Sequence, residues 1–274
     1  MSENMIYKYY APTDYNMDAL VNKYFWFSKR SSLNDSYEMN VQILDAFPKF
    51  KELLEKKGFN IERYNELVDN YAICSFTTTC NNNHFWSLYA DNFQGWCLGF
   101  DRENLVDVTT GVTNRLYDAI YLEEVPNLDN PDTRLVIERD ADGGCISETI
   151  NGLLYNDKTA ESLFAYLLCI KNKEVWSSEN EKRLILGKIY LNQNSDKISL
   201  GGGYKIPWGN GALKHIIVGN KIAGFKKKLL ICLAKELGVE IYEAKPDLVD
   251  RTFSIKVDKL DVLPVAFFSL CRCG

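Results

Sequence analysis

The chain reads as an α+β protein with mixed or antiparallel central sheets and flanking helices, and three observations lead there. Runs of β-branched and aromatic residues recur along the sequence, broken by helical patterns but without the regular alternation of a doubly wound sheet. The 274 residues are 46% hydrophobic and 25% charged. A chain of that size buries roughly 70–75% of its extended surface, which excludes intrinsic disorder and dependence on disulfide staples. No repeat, low-complexity tract or linker divides the sequence, so one domain over 1–274 is expected.

Taken in order, residues 5–10 and 24–28 are β-prone, separated by a polar stretch. Residues 33–38 (LNDSYE) form a turn-like cluster. Residues 49–57 and 60–69 predict two helices, with Gly58 ending the first and Asn60 capping the second. Alternation over 71–79 predicts a strand, 84–90 a short helix, and 95–101 and 119–125 further strands. Residues 121–150 hold eight acidic and two basic residues with clustered prolines and glycines, and read as an exposed, irregular acidic insertion. Residues 159–171 predict an apolar-sided helix and 182–190 a strand. The glycine-rich stretch 201–211 predicts a flexible loop before a strand at 215–219. An amphipathic helix at 225–237 ends at Gly238, and strands follow at 239–244 and 252–257.

Charge and composition narrow the function. The 32 basic and 37 acidic residues leave a net charge of −5, so there is no global basic field for nucleic acid. The first residues lack the basic and apolar regions of a signal peptide, and no apolar run reaches membrane-spanning length. A cytoplasmic protein with no membrane partner is expected. Eight cysteines without a CxxC pair read as reduced thiols rather than a metal site, and no metal is expected.

Three segments hold candidate chemistry. In WSSENEKR (176–183), a continuous strand would place Glu179, Glu181 and Arg183 on one face, where carboxylates and a guanidinium perturb one another. The plain alternative is a solvated edge strand bearing an ordinary row of ion pairs. In LNDSYE, Asn34 and Asp35 are turn residues that also suit a cleft, with Glu38 beside them. In residues 84–96, Trp86, Tyr89, Phe93 and Trp96 fit either a packed core or a stacking wall for a nucleobase.

The segments YKYY, FSKRSSLNDSYE, CSFTTT, FWSLYADNFQGWCLGFD and KNKEVWSSENEKRLI occur in an order that resembles the bacterial domain-of-unknown-function 2971 family. The matching positions include Lys8, Tyr9, Ser28, Asn34, Asp35, Glu38, Ser75, Trp86, Tyr89, Trp176, Glu179, Glu181 and Arg183, and Ser36 stands where the pattern has proline. The resemblance implies a cytosolic bacterial protein often encoded near mobile or defence-associated genes. The order of YKYY, FWFS and ENE is also similar to that of mono-ADP-ribosyltransferases, which implies a split sheet and NAD as cofactor. On that analogy Glu181 stabilises the oxocarbenium-like transition state and Glu179 serves the acceptor, a protein or a nucleic acid. Tyr9, Ser28 and Tyr89 position the dinucleotide, Lys8, Asn34, Asp35 and Trp86 complete its site, and Arg183 lies beside the catalytic pair. Glu181→Gln is then expected to abolish transfer and spare the fold. Two other readings stand beside it: a metal-dependent nuclease-like toxin using Asp35, Glu38, Asp101, Glu179 and Glu181, and a non-catalytic module that binds a nucleotide. Either enzyme reading expects Lys8–Tyr9, Asn34–Asp35, Trp86–Tyr89 and Glu179–Arg183 to meet in one cleft.

Overall fold

The computed structural model describes residues 4–35, 37–38, 41–57, 68, 71–107, 115–139, 145–150, 152, 166–186, 199–200, 202–249 and 251–260. The architecture is α+β, as the sequence predicts: a large mixed sheet, mostly antiparallel, with flanking helices. The chain divides into two compact units. Met1–Lys8, Asp14–Cys80 and Phe100–Ala212 form the first, and Tyr9–Thr13, Asn81–Gly99 and Leu213–Gly274 the second.

Strand Ala72–Thr77 is the hub of the first unit. It runs antiparallel to Met5–Tyr10 (Tyr7 opposite Thr77), to Tyr24–Ser28 (Ser28 opposite Ile73), and along its length to Glu181–Leu186. Leu116–Asp118 pairs with the other edge of Glu181–Leu186, so that strand is interior to the sheet. The aromatic residues of these segments explain why they are strands. Phe25 packs edge-on against Phe76 and Phe100 at 5.1 and 4.8 Å between ring centres, and Trp208 tilts against Phe100 at 5.3 Å. A neighbouring apolar cluster gathers Leu44, Phe50, Leu54, Leu128, Leu135 and Tyr166.

Four expectations change here. Residues 121–150 are irregular only in part: 123–133 are turns and loop, but Arg134–Arg139 pairs antiparallel with Cys145–Thr149, and Leu128, Leu135 and Ile150 are buried. The apolar run Leu135–Val136–Ile137, with β-branched Val136 and Ile137, favours a strand there despite the acidic residues around it. The helix expected to reach residue 171 stops at 169, because Ile170–Asn172 pairs parallel with Ile120–Leu122. Part of the expected loop 201–211 is strand Gly203–Pro207, held against Tyr24–Ser28. Finally, the polar stretch after the first strand contains helix Asp14–Val21, which buries Ala19 and Leu20. The helix expected at 60–69 lies outside the described residues except for Val68, as do Gly58 and residues 187–190.

In the second unit, strand Leu213–Gly219 leads through helix Gly224–Leu237 into the parallel strand Glu240–Pro246, and Ile255–Lys259 closes the edge antiparallel. The unbroken apolar run Ile216–Ile217–Val218 is fully buried, as a strand covered on both faces requires. Gly238 ends the helix at φ 67°, a left-handed conformation that glycine adopts without strain. Gly95 is dictated by contact: a Cβ there would sit 2.0 Å from the Tyr10 carbonyl oxygen. Helix Asn83–Leu88 starts at Asn82, whose side chain accepts from the His84 and Phe85 amides. Among the described residues no helix is long and apolar enough to cross a membrane. Cys74, Cys80, Cys97 and Cys169 are buried free thiols, and Cys232 is an exposed one.

Candidate functional site

The segment 172–186 folds differently from a continuous strand, and the difference builds the site. Asn172 caps the short helix Lys173–Trp176 by accepting from the Val175 amide at 3.1 Å. A 3-10 turn, Ser177–Glu179, follows, and Asn180 adopts φ 44° before strand Glu181–Leu186 begins. Glu179 and Glu181 therefore do not share a strand face. They meet because Lys171, from strand Ile170–Asn172, donates to both, at 3.0 Å to Glu179 Oε2 and 2.9 Å to Glu181 Oε2.

Arg183 completes the cluster from the strand interior. Its Nε donates to Glu181 Oε1 at 2.9 Å and its Nη2 to Glu181 Oε2 at 2.9 Å. Nη1 donates to the Leu168 carbonyl oxygen, and Nη2 also donates to Glu38 Oε1. Lys171 Nζ lies 3.1 Å from the same Glu38 oxygen and 4.4 Å from the centre of the Trp176 ring. Glu38, Lys171, Glu179, Glu181 and Arg183 are all at most 7% exposed, so three carboxylates face two cations out of water. An ordinary wet row of surface ion pairs is thereby excluded.

Burial and pairing pull the ionisation of this cluster in opposite directions. Burial pushes the Glu181 carboxyl up, but the Arg183 and Lys171 charges outweigh it and hold the group down to about 2, helped by a hydrogen bond from Ser75. Burial pulls the Lys171 ammonium down, and the charges of Glu181 and Glu38 more than reverse that, so it stays protonated. Tyr121, whose hydroxyl accepts from the Glu181 amide at 2.8 Å, is pushed up to about 12 by burial. Burial likewise pushes the Cys169 thiol up to about 12, so it is not a thiolate nucleophile.

The turn LNDSYE delivers one member of the cluster. Asp35 Oδ1 accepts from the Tyr37 amide at 2.9 Å, and the Asp35 carbonyl accepts from the Glu38 amide at 3.1 Å. That bend aims Glu38 inward. Asn34 is exposed and Asp35 serves the turn, so the polar pair expected to touch a ligand instead positions its neighbour; Ser36 lies outside the described residues. Lys8 donates from Nζ to the Ser75 carbonyl at 2.9 Å and stands 5.6 Å from the Phe76 ring centre. Ser28 ends its strand opposite Ile73 and Gly203. Asp101 accepts from the Glu103 amide as a cap.

Tyr9, Trp86 and Tyr89 belong to the second unit. Tyr9 meets Phe85 and Trp86 edge-on at 5.1 and 5.2 Å, Tyr89 meets Phe85 at 5.4 Å, and Trp86 stacks on Phe93 at 5.4 Å with 8° between the planes. Trp86 is 0% exposed. It is packed core and has no face open for stacking a base.

A cavity of about 480 Å³ adjoins the cluster in the first unit. Lys171 lines it together with Ile43, Leu122, Val125 and Ile170, and Tyr37, Gln42, Glu123, Glu124 and Asn172 complete its rim. This volume is within the range of small-molecule sites. Sequence reasoning missed Lys171, Tyr121 and the cavity. A lysine beside an apolar run, in a segment read as a helix, carries no local mark of its partners. No family model matches the chain, and no curated protein and no solved structure matches it significantly.

Proposed function

We propose that the first unit is a binding module for a small organic ligand taken into the cavity beside Lys171, with the charge cluster as its rigid wall. The observation that carries this reading is the cavity itself, bordered by the strand whose lysine is anchored by Glu38, Glu179 and Glu181. A carboxylate that stabilises a sugar cation has to face that sugar. Glu181 faces Lys171 and Arg183 instead and is 5% exposed, which supports a structural part. The free thiols support a reducing, cytoplasmic setting. Thermal-shift titration with NAD, ATP, signalling nucleotides and small amines tests the proposal. A ligand at a hundred times its Kd stabilises by about 2.7 kcal/mol, and Tyr37→Ala, at a largely exposed position, should weaken that shift without unfolding the chain. Absence of any shift across the panel sinks it.

NAD-dependent ADP-ribosyl transfer, by a toxin or an anti-phage effector, is the second reading. It is supported by the order of Tyr9, Ser28, Glu179 and Glu181 in the chain and by the ionised state of Glu181 at neutral pH. Incubation with labelled NAD and cell extract tests it; no consumption and no labelling ends it. A metal-dependent nuclease has weaker support. Glu38, Glu179 and Glu181 converge on an ammonium and a guanidinium, and among the described residues no group of three His, Cys, Asp or Glu is placed to hold a metal ion.

A further inference from the structure

The chemistry of the cavity rim says which ligand fits, and this inference rests on the binding-module reading above. Five carboxylates stand in or behind the cavity: Glu123 and Glu124 line it, and Glu38, Glu179 and Glu181 lie behind it on Lys171. The cations are fewer and already engaged. Lys171 and Arg183 are held by the wall carboxylates, and Lys173 pairs with Glu123 at 2.7 Å. Glu124 is exposed and makes no ion pair among the described residues. The same cavity is lined by Tyr37, which is 78% exposed, and by the apolar side chains of Ile43, Leu122, Val125 and Ile170.

A surplus of negative charge repels phosphate and carboxylate ligands and attracts cations. An aromatic face beside an unpaired carboxylate, over an apolar floor, suits an ammonium group carried on a hydrocarbon or aromatic body. We infer that the cavity takes an organic cation, its amine toward Glu124 and Tyr37 and its apolar body against Leu122, Val125 and Ile170. Lys171 sets the depth: its ammonium, locked in the wall, keeps a second cation at the mouth rather than against the cluster.

Three near-isosteric probes that differ only in charge test this on the full chain: phenethylamine, 2-phenylethanol and phenylacetate, each titrated by NMR. The amine should bind about fivefold to tenfold tighter than the alcohol, the size of one cation–π contact and one exposed ion pair. Phenylacetate should bind weakest. Added salt should erode the amine's advantage, and Glu124→Gln should reduce it to that of the alcohol. Equal binding of amine and alcohol, or an advantage that survives Glu124→Gln, overturns the charge inference while leaving the cavity a binding site. Binding of none of the three, with no shift from the nucleotide and amine panel, overturns the binding-module reading itself.

Discussion

The two units solve the same packing problem with opposite materials. The first buries five charged side chains in one cluster, whereas the second has no buried charged side chain among its described residues and fills its centre with Trp86, Phe93, Trp96 and Phe85. Their sequences differ in the same sense: the first unit carries 29 acidic and 21 basic residues, the second 8 and 11. Ring packing is tolerant of position and indifferent to pH. A buried ion cluster is stable only when every partner is in place, and replacing it with apolar groups often costs nothing. Charge in the first unit therefore secures one arrangement of strands around a cavity, in which each partner stabilises only because the others are present.

Arg183→Met removes the guanidinium that bridges Glu38 and Glu181 and leaves three carboxylates, Glu38, Glu179 and Glu181, buried against Lys171. Equilibrium urea unfolding should show a loss of about 3–5 kcal/mol. Trp86→Ala in the second unit should cost roughly 3 kcal/mol or more through the cavity it leaves. Unlike the Arg183 loss, that cost should not vary between pH 4 and pH 7; a pH-dependent Trp86 variant would break the contrast between the units. Asn82→Ala removes the cap of helix Asn83–Leu88 and should cost about 1 kcal/mol in the same assay. Smallest of all, Lys173→Ala breaks a pair whose partners are both more than half exposed, and the unfolding midpoint should stay where it is in the wild type.

Much of the fold was legible because its signals are local. The aromatic strands, the capped helices and Gly238 each declare themselves within a few residues. The strands at 134–139 and 203–207 were missed because acidic residues and glycines there mark loops on average, while pairing with Cys145–Thr149 and Tyr24–Ser28 decides the outcome. The site was half legible. Glu179, Glu181 and Arg183 were singled out by type and spacing, and they do cluster. The geometry assumed for them was wrong because Asn180 turns left-handed. Lys171 is invisible in the sequence, since its partners Glu179, Glu181 and Glu38 lie 8 to 133 residues away, and in LNDSYE the turn residues Asn34 and Asp35 position Glu38 rather than a ligand. Glu181 is an internal counter-ion of Lys171 and Arg183, so Glu181→Gln is now expected to weaken the fold rather than spare it.

Glu181 also gives the most direct test. Its carboxyl, held at about 2 in the folded chain against 4.5 when free, contributes stability that is fully present above pH 4.5 and is lost as pH falls toward 2. That shift corresponds to about 3 kcal/mol at neutral pH. The measurement is equilibrium unfolding of the wild type and Glu181→Gln from pH 7 downward. The account predicts that the variant is weaker by about that amount at pH 7 and that the gap narrows below pH 4.5. A variant as stable as the wild type at pH 7 would show that Glu181 is free to act on a substrate, and would contradict the account.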